Sequence, residues 1–139
     1  MWYYKNEIVE DIDPKYVGFV YIITNQTTGK MYVGKKRLKF SKTKQVKGKK
    51  VKFKVESDWK TYYGSSGQLL EDLQSFGVDN FKREILHFCR TLGECSYFEA
   101  KEQFERKVLE SNDYYNEWIQ CKISRRHLPK GLDKRDQKE

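Results

Sequence analysis

The sequence predicts an α/β fold, built from three core strands and two helices with a lysine-rich β-hairpin inserted after the second strand. Three observations carry this. Phe19–Ile23 and Met31–Gly34 are runs of β-branched and aromatic residues on either side of a polar turn, Asn25–Gly29. Leu69, Leu73 and Phe76, and later Tyr97, Ala100, Phe104 and Val108, recur at helical spacing. Between these regions, Lys44–Val46 and Val51–Val55 alternate polar and apolar side chains.

Pairing the first two strands about the midpoint of their turn sets Thr24 opposite Gly29, Ile22 opposite Met31 and Tyr21 opposite Tyr32. Directly opposed residues project from one face, so the two phenols are expected side by side. A bulge at Gly29 would shift the register by one. The pair is either a core contact, worth about 0.5–1.5 kcal/mol beyond area burial, or two hydroxyls turned toward a site. In the insertion, Gly48-Lys49-Lys50 forms the turn, with an apolar face expected on the body and a lysine face outward. Ser65 or Ser66 caps the first helix, which ends at Gly77 with Leu69, Leu73 and Phe76 on the sheet. After turn residues comes the third strand, Phe81–Cys89. The second helix follows Gly93 and runs to about Ser111, its stripe widened by Phe98 and Leu109.

The chain divides into an N-terminal segment (1–16), a domain over 17–120 with a basic insertion at about 35–60, and a basic tail (121–139) expected to be partly disordered. No apolar run approaches the about 18 residues of a membrane span, and the start lacks the order of a signal peptide. Cys89, Cys95 and Cys121 have no paired spacing and read as reduced thiols, which points to the cytoplasm of the cell or of a host. Zinc is not expected, because there is no Cys-x-x-Cys and His87 and His127 lack ligand spacing.

The net charge is +8, yet the block from Lys35 to Lys60 alone carries +10, twelve basic side chains against Glu56 and Asp58. Such a block favours a polyanion, because neutralising phosphates releases condensed counterions; the alternative is a solvated loop that only solubilises. The phosphate-contact candidates are Lys35, Lys39, Lys42, Lys44, Lys49, Lys50, Lys52, Lys54 and Lys60, with Arg125 and Arg126 in the tail. Trp59, Tyr62 and Tyr63 either stack on bases, flank the site, or cover the core edge. Arg37 is the block's only arginine, so bidentate reading of guanine is not expected.

Phe19-Val20-Tyr21 and Tyr32-Val33-Gly34, joined by Thr-Asn-Gln-Thr-Thr-Gly-Lys, resemble the signature of the GIY-YIG endonuclease family. Val20 and Phe19 stand where the family has isoleucine and glycine, with Gly18 one position earlier. The resemblance covers Val17 to Trp118 and implies a small three-stranded antiparallel sheet with both helices on one side. It implies phosphodiester hydrolysis, with Tyr21 or Tyr32 orienting or deprotonating the attacking water. It also implies a glutamate on the helix after the third strand, holding Mg²⁺ or Mn²⁺. Glu99 matches best in spacing, and Glu102 is its rival. Asn116 corresponds to a late asparagine that orders the site. Lys36 and Arg37 are the candidates for a cation, usually arginine, that follows the second tyrosine. The family's frequent histidine has no counterpart, since His87 lies on another element. On a helical wheel Glu99 points away from the Tyr97–Phe104 stripe, so either it faces a cleft at the helix edge or the stripe lies elsewhere.

Two function classes follow. One is a metal-dependent DNA endonuclease of the stand-alone homing or restriction type, phage or mobile-element-like, acting as a monomer or a DNA-induced dimer. The other is a non-catalytic nucleic-acid-binding module in which the tyrosines only pack. A third, a binder of acidic proteins, has only the charge behind it.

Overall fold

The computed structural model describes residues 1–132. In chain order its elements are β1 (Trp2–Tyr4), β2 (Glu7–Val9), β3 (Gly18–Asn25), β4 (Met31–Arg37), β5 (Lys39–Val46), β6 (Lys49–Glu56), α1 (Gly67–Phe76), β7 (Phe81–Cys89) and α2 (Leu92–Glu105). The disorder expected of the last residues concerns 133–139, outside the described residues.

Strand β3 is apolar on both faces, which makes it the central strand. It pairs antiparallel with β4 on one side and with β7 on the other. The N-terminal residues then extend the sheet. Strand β1 runs parallel to β7 and β2 antiparallel to β1, giving the order β2-β1-β7-β3-β4. The sheet is therefore five-stranded and mixed, not three-stranded and antiparallel. Strands of three residues are too short to show a period of two, so composition alone did not reveal them. What holds β1 is Trp2: its ring meets Phe19 and Tyr21 edge-on at 4.9 and 5.4 Å, and its Nε1–H donates to the Trp59 carbonyl at 2.7 Å.

The β3–β4 register also differs from expectation: Tyr21 lies opposite Gly34 and Ile23 opposite Tyr32. The loop is longer than the symmetric turn because Asn25 organises it. The Asn25 Oδ1 accepts from the Thr27 and Thr28 N–H groups, and the Asn25 N–H donates to the Lys30 carbonyl. The displacement preserves parity, so the two tyrosines still share a face, as diagonal neighbours with ring centroids 6.2 Å apart. A one-residue irregularity falls instead between β3 and β7, where Leu86 is left over between the pairs Tyr21–Ile85 and Val20–His87.

The helices lie on opposite faces of the sheet, not on one side. Phe19, Tyr21 and Ile23 share a cluster with Trp2, Trp59 and the α1 residues Leu69 and Leu73. Val20, Ile22 and Val33 pack against Cys95 of α2 and against Val108. A central strand without alternation needs cover on both sides, and one helix goes to each. Ser66 caps α1 and Gly77, at φ 84°, ends it, leaving Phe76 exposed beside the stop. Helix α2 ends at Glu105, earlier than its pattern suggests; Val108 is buried beyond it, after Lys107 at φ 55°. Its buried stripe is Cys95, Ala100 and Gln103, whereas Phe104 is 57% exposed.

Strands β5 and β6 form a separate two-stranded ribbon turning at Lys47 and Gly48, both at positive φ. The expected apolar face does not lie on the body: β5 is exposed throughout and β6 nearly so. Among the described residues it is anchored at its root, through buried Leu38, Ser57 and Trp59.

If β1 is integral, Trp2→Ala should cost about 3–5 kcal/mol in urea unfolding, as for other buried tryptophans. A cost below about 1 kcal/mol, the scale of a surface change, would mean that the first strands merely decorate the sheet.

Candidate active site

Strand β4 is the open edge of the sheet, and its outward peptide groups need partners. At Met31 they come from the chain's late segment: the Met31 N–H donates to the Asp113 carbonyl at 2.8 Å, and its carbonyl accepts from Tyr115 N–H at 2.7 Å. At Val33 side chains take over. The Val33 N–H donates to Asn116 Oδ1 at 3.0 Å, while its carbonyl accepts from Asn116 Nδ2 at 2.8 Å and Gln103 Nε2 at 3.0 Å. At the next outward position the Lys35 ammonium lies 3.8 Å from the Glu99 carboxylate. This closure leaves a cleft of about 360 Å³ at the edge, lined by Tyr21, Tyr32, Lys35, Glu99, Gln103 and Asn116 among others.

Gly34 makes room for the phenols. A Cβ there would stand 2.5 Å from the Tyr21 hydroxyl and 2.9 Å from Tyr32 Cε1. Tyr21 is 1% exposed, with Tyr62 packed edge-on at 6.0 Å. Burial, reinforced by the Tyr62 and Tyr32 phenols, pushes the Tyr21 hydroxyl well above the usual phenol range. The Tyr32 hydroxyl lies 3.1 Å from Ser65 Oγ; burial raises it too, against the pull of that hydrogen bond. Both phenols are neutral near pH 7, which suits hydrogen-bonding better than proton abstraction.

Glu99 enters the cleft because the buried stripe of α2 passes through Cys95 and Gln103, one turn to either side of it. That removes the conflict with the expected stripe. Burial raises the Glu99 carboxyl, opposed by the Lys35 ammonium at 3.8 Å and by the Lys35 N–H. Glu102 is engaged elsewhere: its oxygens meet His87 Nε2 and Arg106 Nε, each at 2.8 Å. Burial pushes Glu102 up, but these two partners outweigh it and hold it below the usual carboxyl range.

Of the cations, Lys35 lines the cleft and also donates to Ser96 Oγ at 2.8 Å. Lys36, on the tyrosine face, is bound to Asp58 at 2.6 Å with its ammonium 3.9 Å from the Tyr62 ring centre. Arg37 is exposed and lines a smaller cavity with Leu92, Cys95 and Ser96. Trp59 is core, 4% exposed, with its ring against Phe19. Tyr63 is half-buried with the Arg83 guanidinium 4.1 Å from its ring centre. Lys60 is exposed beside Glu56 at 3.8 Å, and Arg125 and Arg126 form a short 3-10 turn whose His127 abuts Gly93 at the start of α2. Ser65, Gln103 and Trp118 line the cleft without having been singled out for it by their sequence pattern. Trp118 is 76% exposed at its mouth. Only the helical spacing of Gln103 to Glu99 could have signalled any of them.

Among the described residues no cluster of three or more histidine, cysteine, aspartate or glutamate side chains is present, and no helix is long and apolar enough to cross a membrane. A family model described as "Putative endonuclease segE, GIY-YIG domain" matches residues 2–119. The chain belongs to this GIY-YIG endonuclease family. The matched span includes β1 and β2 as well as the ribbon, so both lie within the GIY-YIG domain as the family model draws it. No curated protein and no solved structure matches the chain.

The raised Glu99 carboxyl makes a stability prediction. Above the glutamate range only the folded state bears the cost of a desolvated carboxylate, so Glu99→Gln should raise Tm at pH 7. The gain should fade as pH falls from the raised folded value toward about 4.3, the ordinary glutamate value, and vanish below it, where the side chain is neutral in both states. A lower Tm at pH 7 would mean that pairing with Lys35 outweighs burial.

Proposed function

We propose that the protein is a DNA endonuclease that hydrolyses phosphodiester bonds with Mg²⁺ or Mn²⁺ held by Glu99. The observation that carries this is the meeting of the Glu99 carboxylate with the Tyr21 and Tyr32 phenols in one cleft. The donor set fits such an ion. Glu99 is a hard carboxylate, and one helical turn away the Gln103 Oε1 is buried with no hydrogen-bond partner among the described residues. Mg²⁺ is commonly bound through one or two protein oxygens, with water and phosphate completing its shell. When bound, the ion supplies polarisation of the phosphate and stabilisation of the leaving oxygen.

The chain's own residues do the rest. Hydrolysis joins a water oxygen to phosphorus and expels one ester oxygen, and the phenols are neutral donors able to orient that water or a phosphate oxygen. Tyr32, held by Ser65, is the more accessible of the two. Lys35 offers its ammonium to the developing charge, beside the carboxylate it partners. Lys36 keeps positive charge against the tyrosine cluster through Tyr62. Asn116 and Gln103 hold the edge strand on which Tyr32 rides. Lys60, Arg125 and Arg126 serve as outlying phosphate contacts. A single cleft cuts two strands either by successive nicks from a monomer or through a DNA-induced dimer. The setting proposed is the cytoplasm, in a phage or mobile-element context.

Supercoiled plasmid incubated with Mg²⁺ or EDTA tests this. Wild type should nick or linearise the plasmid only with Mg²⁺. Glu99→Gln should lower the rate by about 100-fold or more, the scale of removing one electrostatic partner of a transition state, while plasmid retardation persists. Tyr32→Phe, which removes only a hydroxyl, should also slow cleavage. A plasmid retarded but intact in every lane would make the chain a binding module with a packed tyrosine pair.

A further inference from the structure

We propose that the β5–β6 ribbon is an arm that enters the major groove of duplex DNA beside the cleavage cleft. The inference rests on DNA being the substrate, but not on the metal or the chemistry.

The ribbon stands off the body, and among the described residues no other strand or helix pairs with it. Its antiparallel register assigns every side chain to a face. Lys42, Lys44 and Lys49 share one face with Val46, Val51 and Phe53. Lys50, Lys52 and Lys54 lie on the other, and Lys47 is at the tip. A ribbon lying flat on a polyanion needs charge on one face only. Charge on both faces and at the tip matches a groove, which has phosphates on both walls.

Dimensions select the groove. Eight residues at about 3.3 Å each make a strand about 26 Å long. The B-DNA major groove, about 12 Å wide, admits a two-stranded ribbon, whereas the minor groove, about 6 Å wide, does not. The major groove of an RNA duplex is too narrow for such an arm. The apolar members of the mixed face suit thymine methyls on the groove floor. No arginine lies on the ribbon, so the arm sets position and affinity more than sequence.

The root joins the arm to the cleft. The Ser57 hydroxyl donates to the Arg37 carbonyl, and the Ser57 N–H to the Leu38 carbonyl. The Lys36 ammonium lies 4.9 Å from the ring centre of Phe40, in the arm, and 3.9 Å from that of Tyr62, which packs on Tyr21. DNA held by the arm is thereby held next to the phenols.

The test is fluorescence anisotropy of a 30-base-pair DNA duplex without divalent metal, at graded salt. Two variants are compared with wild type: residues 42–53 replaced by Gly-Gly, and the triple substitution Lys50→Gln, Lys52→Gln, Lys54→Gln. Truncation should weaken binding about 100-fold or more near 0.15 M salt and flatten log K against log salt by about 4–6, at about 0.9 per phosphate contact. The triple variant, which leaves the ribbon backbone intact, should flatten the wild-type slope by up to about 3. Methyl green, a major-groove ligand, should displace the wild type; netropsin, a minor-groove ligand, should not. Unchanged affinity and slope on truncation would overturn the proposal, as would displacement by netropsin alone or equal arm-dependent binding to duplex RNA. Arm-dependent binding of DNA by a protein that cuts nothing would overturn the nuclease reading and leave this one standing.

Discussion

The Asn116 side-chain amide makes two hydrogen bonds to the peptide of Val33, and the cleft depends on that pair more than on any other contact. An edge strand carries backbone groups that must be hydrated or paired, and a buried one left unpaired costs about 1–3 kcal/mol. Asn116 satisfies both groups of one residue, and Gln103 of α2 adds a third bond to the same carbonyl. Two distant parts of the chain are thus pinned to one point of β4. Glu99 precedes Gln103 by one helical turn, so the bond that fixes Gln103 brings the carboxylate to the edge strand. Tyr32, next to Val33, points from the other face. The contacts that close the edge also bring the cleft residues together.

The closure also sets the electrostatics. A carboxylate and two phenols, each buried to a large extent, all shift toward their neutral forms. Lys35 offsets part of this for Glu99. Under the proposed function, a bound cation would offset the rest. Glu102 shows the contrast on the same helix: with His87 and Arg106 to hand it is already satisfied and has little to gain from a metal.

Much of this was legible in the sequence. The strand Phe81–Cys89 and the glycine stop of α1 came from local pattern, and both lie where the pattern indicates. The tyrosines share a face despite a displaced register, because parity survives an even displacement. What local pattern could not supply was pairing at a distance. The parallel pairing of β1 with β7 joins Trp2 to Arg83, a contact with no local signature. The stripe of α2 was misread because Tyr97 and Phe104 look like core, whereas the sheet instead receives small or polar residues, Cys95, Ala100 and Gln103. The ribbon alternates as a half-buried hairpin does, yet the body offers it no surface. Within the cleft lining, Asn116 was singled out by resemblance, whereas Ser65, Gln103 and Trp118 come to it only through the folded geometry.

The most direct test of the central claim, that Glu99, the tyrosines and the closed edge form one divalent-cation site, is NMR line broadening by substoichiometric Mn²⁺. Amides of Tyr32, Lys35, Glu99 and Asn116 should broaden first, with recovery on adding excess Mg²⁺ and no broadening in Glu99→Gln. Broadening centred on Glu102 and His87, or loss spread evenly over the acidic surface, would contradict the account.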